Sequence, residues 1–164
     1  MTVGRFLAGI GAVIWAPALE RYLLLQRAAS KDFAPGAWEC VTGRVDQGEG
    51  FEEALHREVC EELGVVVHVD FIIGTTHFYR GSPDPENELL GVVYHCSLDT
   101  PDAVYPGVEY QAHRWVTYAE ALTLLGEGAS ESWLGRVLAR AEALRAGLNA
   151  ALIARHRAEG IELV

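Results

Sequence analysis

Apolar residues along this chain follow two rhythms, and the rhythm changes where glycine and proline interrupt it. Residues 3–15 form a nearly unbroken apolar run, and Arg21 to Arg27 encloses Tyr22-Leu23-Leu24-Leu25 between polar ends. Short runs of this kind, bounded by a turn pair such as Pro17-Ala18, predict buried strands. Further strands are expected near 38–42, 65–79 and 89–98, with a short one near 113–116. A spacing of three and four predicts helices over 51–63, 118–125 and 132–158. Thr117-Tyr118-Ala119-Glu120 has the capping-box spacing, Gly126 can close that helix, and Ser130 can cap the next. Loops are expected over 30–36, 43–50, 81–88 and 99–107. Strands and helices interleave, which predicts layered α/β or α+β packing. No linker divides the chain, so one domain over 1–164 is expected.

The first run has a second reading. Phe6 to Leu19 carries no charge, Arg5 precedes it, and Ala16-Pro17-Ala18 has the small-x-small form of a signal-peptide cleavage site. The run is shorter than the roughly 20 apolar residues a membrane-spanning helix needs. The strand reading is preferred, because the strand at 21–27 needs a neighbour and cleavage would remove one. The expected location is then cytoplasmic, with no membrane partner.

Composition changes the picture in two respects. The chain has 164 residues, half of them apolar and 22% charged, which suits a folded domain with a real core. It carries 13 basic against 23 acidic residues, a formal net charge of -10. Duplex binding rests on neutralising phosphates, so a broad nucleic-acid surface is excluded. A small polyphosphate remains compatible if a metal ion mediates. Cys40, Cys60 and Cys96 make no CxxC and no even set, which predicts reduced thiols, each serving as a small buried hydrophobe.

The helix at 51–63 places charge where a core helix would not. At roughly 100° per residue, Phe51, Leu55, Val59 and Leu63 form one apolar arc. Glu62 falls inside that arc, Glu58 sits at its edge, and Glu61 follows beyond. The three are spaced i, i+3, i+4 and share a face. Crowded carboxylates repel, and burying one uncompensated is costly. A hard divalent cation such as Mg²⁺ removes both problems and bridges carboxylates to substrate phosphates. Upstream, Gly43-Arg44-Val45-Asp46-Gln47-Gly48-Glu49-Gly50 suits a tight loop. Its amides and the helix N-terminus are expected to face an anion. Glu49 and Arg57 are placed to brace loop against helix.

Gly43, five residues, Glu49, seven residues, then Arg57-Glu58-Val59-Cys60-Glu61-Glu62-Leu63-Gly64-Val65 matches every fixed position of the Nudix box. The chain resembles a Nudix hydrolase of the MutT-like kind. The resemblance implies an α/β/α sandwich around a mixed sheet, with the box as loop–helix–loop. It implies that Glu58, Glu61 and Glu62 bind metal, that Arg57 and Glu49 form a structural ion pair, and that the Thr42 carbonyl joins the metal shell. A carboxylate often lies shortly before an Arg-Trp strand in this family. Arg114-Trp115 fits that strand, and Glu109 is the matching candidate for a further ligand or general base. The family's second acid, three before the Trp, is here Ala112. Asp84, Glu86 and Glu88 are rival candidates.

The implied reaction is hydrolysis of a nucleoside diphosphate linked to another moiety, with Mg²⁺ or Mn²⁺ as cofactor and water attacking phosphorus. The substrate is a small nucleotide-like diphosphate. Trp38 and Phe33 before the box, and Phe78 and Tyr79 after it, are candidates to stack on its base. Val41-Thr42-Gly43 is similar to dihydroneopterin-triphosphate and deoxyadenosine-triphosphate pyrophosphohydrolases, where many relatives have Pro-Gly-Gly. That favours a triphosphate cleaved to monophosphate and pyrophosphate, with ADP-ribose, nucleotide sugars and dinucleoside polyphosphates as alternatives. Another class, a non-catalytic ligand-binding module, usually loses box glutamates that this chain keeps. The apolar strip Trp133, Leu134, Val137, Leu138, Leu144 and Leu148 has two expected partners, the sheet or a second subunit.

Overall fold

The uncharged N-terminal run is the middle of a sheet. In the computed structural model, which describes residues 4–31 and 34–163, the strands and helices follow in order. They are β1 (Leu7–Ala16), β2 (Arg21–Arg27), β3 (Trp38–Glu39), β4 (Val41–Arg44), α1 (Phe51–Leu63), β5 (His68–Tyr79), β6 (Glu88–Ser97), β7 (Tyr110–Val116), α2 (Tyr118–Leu125), α3 (Trp133–Gly147) and α4 (Ala150–Glu159). β1 runs parallel to β6, from Leu7 opposite Leu89 to Trp15 opposite Ser97. Every other pairing is antiparallel. The path β3-β2-β1-β6-β5 is completed by β4 beside β1 and β7 beside β2. β1, paired with β2, β4 and β6, is the strand that joins the two halves of the sheet. No described helix is long and apolar enough to cross a membrane.

Two apolar cores lie on the two faces of this sheet. Alternation along β1 sends Ile10, Ala12 and Ile14 to one face, where Ala54, Leu55, Val59 and Leu63 of α1 meet them. Val13 and Trp15 go to the other, with Tyr22, Leu24, Val116 and the buried residues Leu134, Val137, Leu138 and Ala141 of α3. The result is an α/β/α arrangement around a mixed sheet. The apolar strip of α3 is therefore spent largely on the sheet. The side chains Leu55, Val59 and Leu63 are fully buried, each worth about 1.5–3 kcal/mol.

Four local expectations are corrected. The strand near 38–42 is two strands, because the chain changes partner at Cys40, from β2 to β1. The helix over 132–158 is broken. Leu148 is extended (φ -76, ψ 142), and the Asn149 side chain accepts from the Ala151 amide to start α4 afresh. Ser132, not Ser130, caps α3 by accepting from the Gly135 amide at 3.0 Å. Cys60 is exposed on α1, whereas Cys40 and Cys96 are buried, and all three are free.

α4 closes over the β5 edge through a buried polar cluster. Asp70 accepts from His95 Nδ1 at 2.9 Å, from Ser97 Oγ at 3.1 Å and from Arg157 Nε at 2.6 Å. His156 Nδ1 bonds the Asp70 carbonyl at 2.7 Å. Burial alone would raise the Asp70 carboxyl, but the bonds from His95 and Arg157 outweigh it and hold the pKa below its ordinary value.

Candidate active site

Gly43 and α1 meet where β4 leaves the sheet. Gly43 pairs with Ile10, so its missing side chain faces α1. A Cβ there would lie 2.2 Å from the Glu58 side chain, so only glycine lets that carboxylate lie on the strand. Arg57 fills the space between loop and helix. Its Nε and Nη2 donate to the two oxygens of Glu49 at 2.8 and 2.9 Å. Nη2 also donates to the Arg44 carbonyl at 2.9 Å, and Nη1 to Glu58 at 2.9 Å. Nη1 reaches Glu61 at 3.4 Å. The paired guanidinium pulls the Glu49 carboxyl down to about 2. Glu61 is otherwise turned to solvent.

Glu62 points inward, as the arc requires. Its Oε2 accepts from the Tyr110 hydroxyl at 2.6 Å. Burial pushes the Glu62 pKa up to about 7; the Tyr110 bond opposes this, and the charges of Glu58, Glu109 and Glu39 add to it. Glu109 is half exposed and ion-paired to Lys31 at 2.9 Å. Thr42 is exposed on β4, opposite Gly11.

Two members of this acidic group were not singled out from the sequence. Glu39 sits on β3 opposite Leu25, and so on the α1 face, with its carboxylate on Arg27 at 2.9 Å. Burial raises its pKa in spite of that partner. Its signal was the period of two in β3, read against the core-facing Leu25. Tyr110 follows Glu109 directly, and β7 starts there instead of at 113.

The remaining candidates lie elsewhere. Trp38 is on the opposite face, under the Arg114 guanidinium at 5.6 Å. Phe78 and Tyr79 are exposed at the far end of β5, the other edge of the sheet from β3. Phe33 lies outside the described residues. Asp84 is bonded by Ser82, and Glu88 meets His77 at 2.8 Å. Asp84 and the exposed Glu86 belong to the β5–β6 connection and Glu88 opens β6, whereas the acids that act most on Glu62 are Glu58, Glu109 and Glu39.

The expected anion seat at the start of α1 is corrected. The amides of Phe51 and Glu52 donate to Glu162 at 3.1 and 3.2 Å. Glu52 in turn accepts from the Ile161 and Glu162 amides. The Glu162 side chain, from near the end of the chain, already takes these two amides of the helix end.

As placed, these carboxylates face Arg57, solvent and Tyr110. Among the described residues no three His, Cys, Asp or Glu side chains are grouped to hold a metal ion. The donor chemistry nevertheless fits a hard divalent cation. Every candidate donor is oxygen, and Glu62 is an acid whose charged form burial and acidic neighbours disfavour.

A mixed sheet between two helical layers, with a glycine loop feeding an acidic helix, defines the class of fold. The NUDIX domain model matches residues 5–136, and the chain belongs to the Nudix hydrolase family. It is 36% identical over 93 residues to the NAD-capped RNA hydrolase NudC of Stutzerimonas stutzeri, covering 57% of this chain and 31% of that one. The chain thus spans about a third of NudC's length. It is 31% identical over 113 residues to the nucleoside triphosphatase NudI of Klebsiella pneumoniae, covering 63% and 79%. In fold it is similar to the C. elegans Ap4A hydrolase, with a TM-score of 0.67 at 24% identity over 87% of this chain and 99% of that one. The E. coli dihydroneopterin triphosphate pyrophosphohydrolase gives a TM-score of 0.62 at 23% identity over 84% and 95%.

Proposed function

We propose that this protein is a divalent-metal-dependent hydrolase that cleaves a nucleoside or pterin triphosphate to monophosphate and pyrophosphate. The observation that carries the reading is the acidic group around Glu62: Glu58 laid on Gly43, Glu109 and Glu39 alongside, and one carboxyl held near pH 7 by burial. Glu58, Glu61 and Glu62, with the Thr42 carbonyl, would hold Mg²⁺ or Mn²⁺. When bound, such a cation neutralises phosphate oxygens and makes a bound water acidic enough to attack phosphorus. Arg57, tied to Glu49 and the Arg44 carbonyl, fixes the backbone of the loop and the position of Glu58. Tyr110 fixes Glu62. Glu109, on the same acidic group, is our candidate to take the proton from the attacking water.

Val41-Thr42-Gly43 supports the triphosphate reading, as does the similarity to NudI, a nucleoside triphosphatase. A second reading, a dinucleotide pyrophosphatase acting on an NAD-like molecule, is favoured by the 36% identity to NudC. The net charge of -10 speaks against an extended RNA surface in either case. The test is turnover with Mg²⁺ on a panel of deoxynucleoside triphosphates, dihydroneopterin triphosphate, NADH, ADP-ribose, diadenosine tetraphosphate and a nucleotide sugar. Pyrophosphate release from a triphosphate supports the first reading. A preference for NADH or ADP-ribose replaces it with the second. No turnover on any member leaves a ligand-binding module.

A further inference from the structure

The face of the sheet turned away from α1 holds a cavity that the hydrolytic site does not use. It measures about 310 Å³ and lies between β5 and α3, with Val93, Ile73 and Val137 of the second core beneath it. Thr76, Trp133, Arg136 and Arg140 supply its polar side chains, and no acidic residue lines it.

Arg136 and Arg140 stand one turn apart on α3, and both are exposed. Neither has an ion pair or side-chain hydrogen bond among the described residues. Arg21, Arg27, Arg57, Arg145, Arg155 and Arg157 each hold a carboxylate. Like charges at i, i+4 repel along a helix. The strand beneath is shaped to admit one of them. Arg140 Nη1 is 2.9 Å from where a Cβ on Gly74 would stand, so any side chain there would displace the guanidinium. The β5–β6 register shifts at this same point, between Ile72 and Gly74. Trp133 is fixed by its Nε1 donating to Thr76 Oγ1 at 3.1 Å.

We propose that this cavity binds the phosphate group of a small phosphorylated molecule at a site separate from the α1 carboxylates. Two guanidiniums lining one cavity without a counter-charge suit a phosphate, which each can meet with two parallel donors. The volume of about 310 Å³ is at the lower end for ligand pockets and suits a phosphorylated molecule no larger than a mononucleotide, not a polymer. The position is separate by topology. Gly43 pairs with Ile10, Ile10 with Val92, and Val92 with Thr75. Three strand spacings along the sheet put β5 roughly 14 Å from Gly43, and Ile73, Val93 and Val137 of the second core put the cavity on the face opposite α1. The inference goes beyond the proposed hydrolysis and does not rest on it.

The test is a titration of the full, ¹⁵N-labelled chain in chelator, first with inorganic phosphate and then with adenosine monophosphate, following the Trp133 indole and the Arg136 and Arg140 side-chain signals. Arg136→Gln with Arg140→Gln removes the charges from two exposed positions, and a melting curve checks that the double variant folds. The expected result is a saturable shift with a Kd below about 10 mM, weakened at least tenfold in the double variant and unchanged in Glu62→Gln. Tighter binding of the nucleotide assigns the site to a phosphorylated metabolite; equal binding assigns it to phosphate itself. A non-saturable response in the wild type, or equal affinity in the double variant, overturns the proposal. Because the titration needs no metal and no turnover, that failure would leave the hydrolytic reading untouched.

Discussion

Glu62→Gln is the substitution whose consequences differ most between a metal site and a structural one. The carboxyl is held near pH 7 by burial and by its acidic neighbours, against an ordinary value of 4.5. A folded state that keeps this proton more tightly than the unfolded chain loses stability as pH rises from 4.5 to 7. At about 1.36 kcal/mol per pH unit, the full loss is at most about 3 kcal/mol in metal-free protein above pH 7. Glutamine keeps the shape, and its amide oxygen still accepts from Tyr110, so the variant escapes that loss. In chelator at pH 8 it should melt roughly 5–10 °C above the wild type, and the two should converge at pH 5. With Mg²⁺ present, turnover should fall by two or more decades, about 3 kcal/mol of barrier. Equal or lower melting of the variant at pH 8, together with near-normal turnover of the folded fraction, would refute the reasoning and leave Glu62 as a structural partner of Tyr110.

Three other outcomes follow from the same contacts. Raising Mg²⁺ should raise the melting temperature and chelator should lower it, because a cation relieves the repulsion around Glu62; a melting curve indifferent to both counts against the metal site. Asp70→Asn should cost on the order of 3–5 kcal/mol in denaturant unfolding, since it leaves Arg157 and His95 facing a neutral partner. The wild type's share of this stability is present above the ordinary aspartate value and lost as pH falls through the lower folded value; a flat acid limb would contradict it. Glu162→Ala should cost about 1 kcal/mol by uncapping the Phe51 and Glu52 amides, read as a shifted urea midpoint with unchanged slope.

The sequence discloses most where a local rule and the tertiary environment agree. The arc Phe51, Leu55, Val59 and Leu63 locates α1 and its inward Glu62, because one periodicity sets both burial and carboxylate direction. Thr117 and Glu120 form their reciprocal cap as spaced. What escaped depends on contacts distant in sequence. Cys40 changes strand partner only because two different strands wait on either side of it. Glu162 reaches α1 from the far end of the chain, and no local pattern near 51 announces that its amides are already taken. Glu39 and Tyr110 join Glu62 through strand register, which the spacing of the box does not contain. Trp38 and Phe78 looked equivalent as aromatics flanking the box, yet the strand order sends them to opposite edges.

The most direct test of the central claim is steady-state turnover of the best panel substrate by the wild type and Glu58→Gln, with saturating Mg²⁺ and then in chelator. Glu58 lies on Gly43 and is also bonded by Arg57, so its two roles separate in this one measurement. The account predicts turnover by the wild type only with metal, and a loss of at least about 100-fold in the variant at unchanged fold, about 2.7 kcal/mol of barrier. Turnover that survives in chelator, or a folded Glu58→Gln protein as active as the wild type, would contradict it.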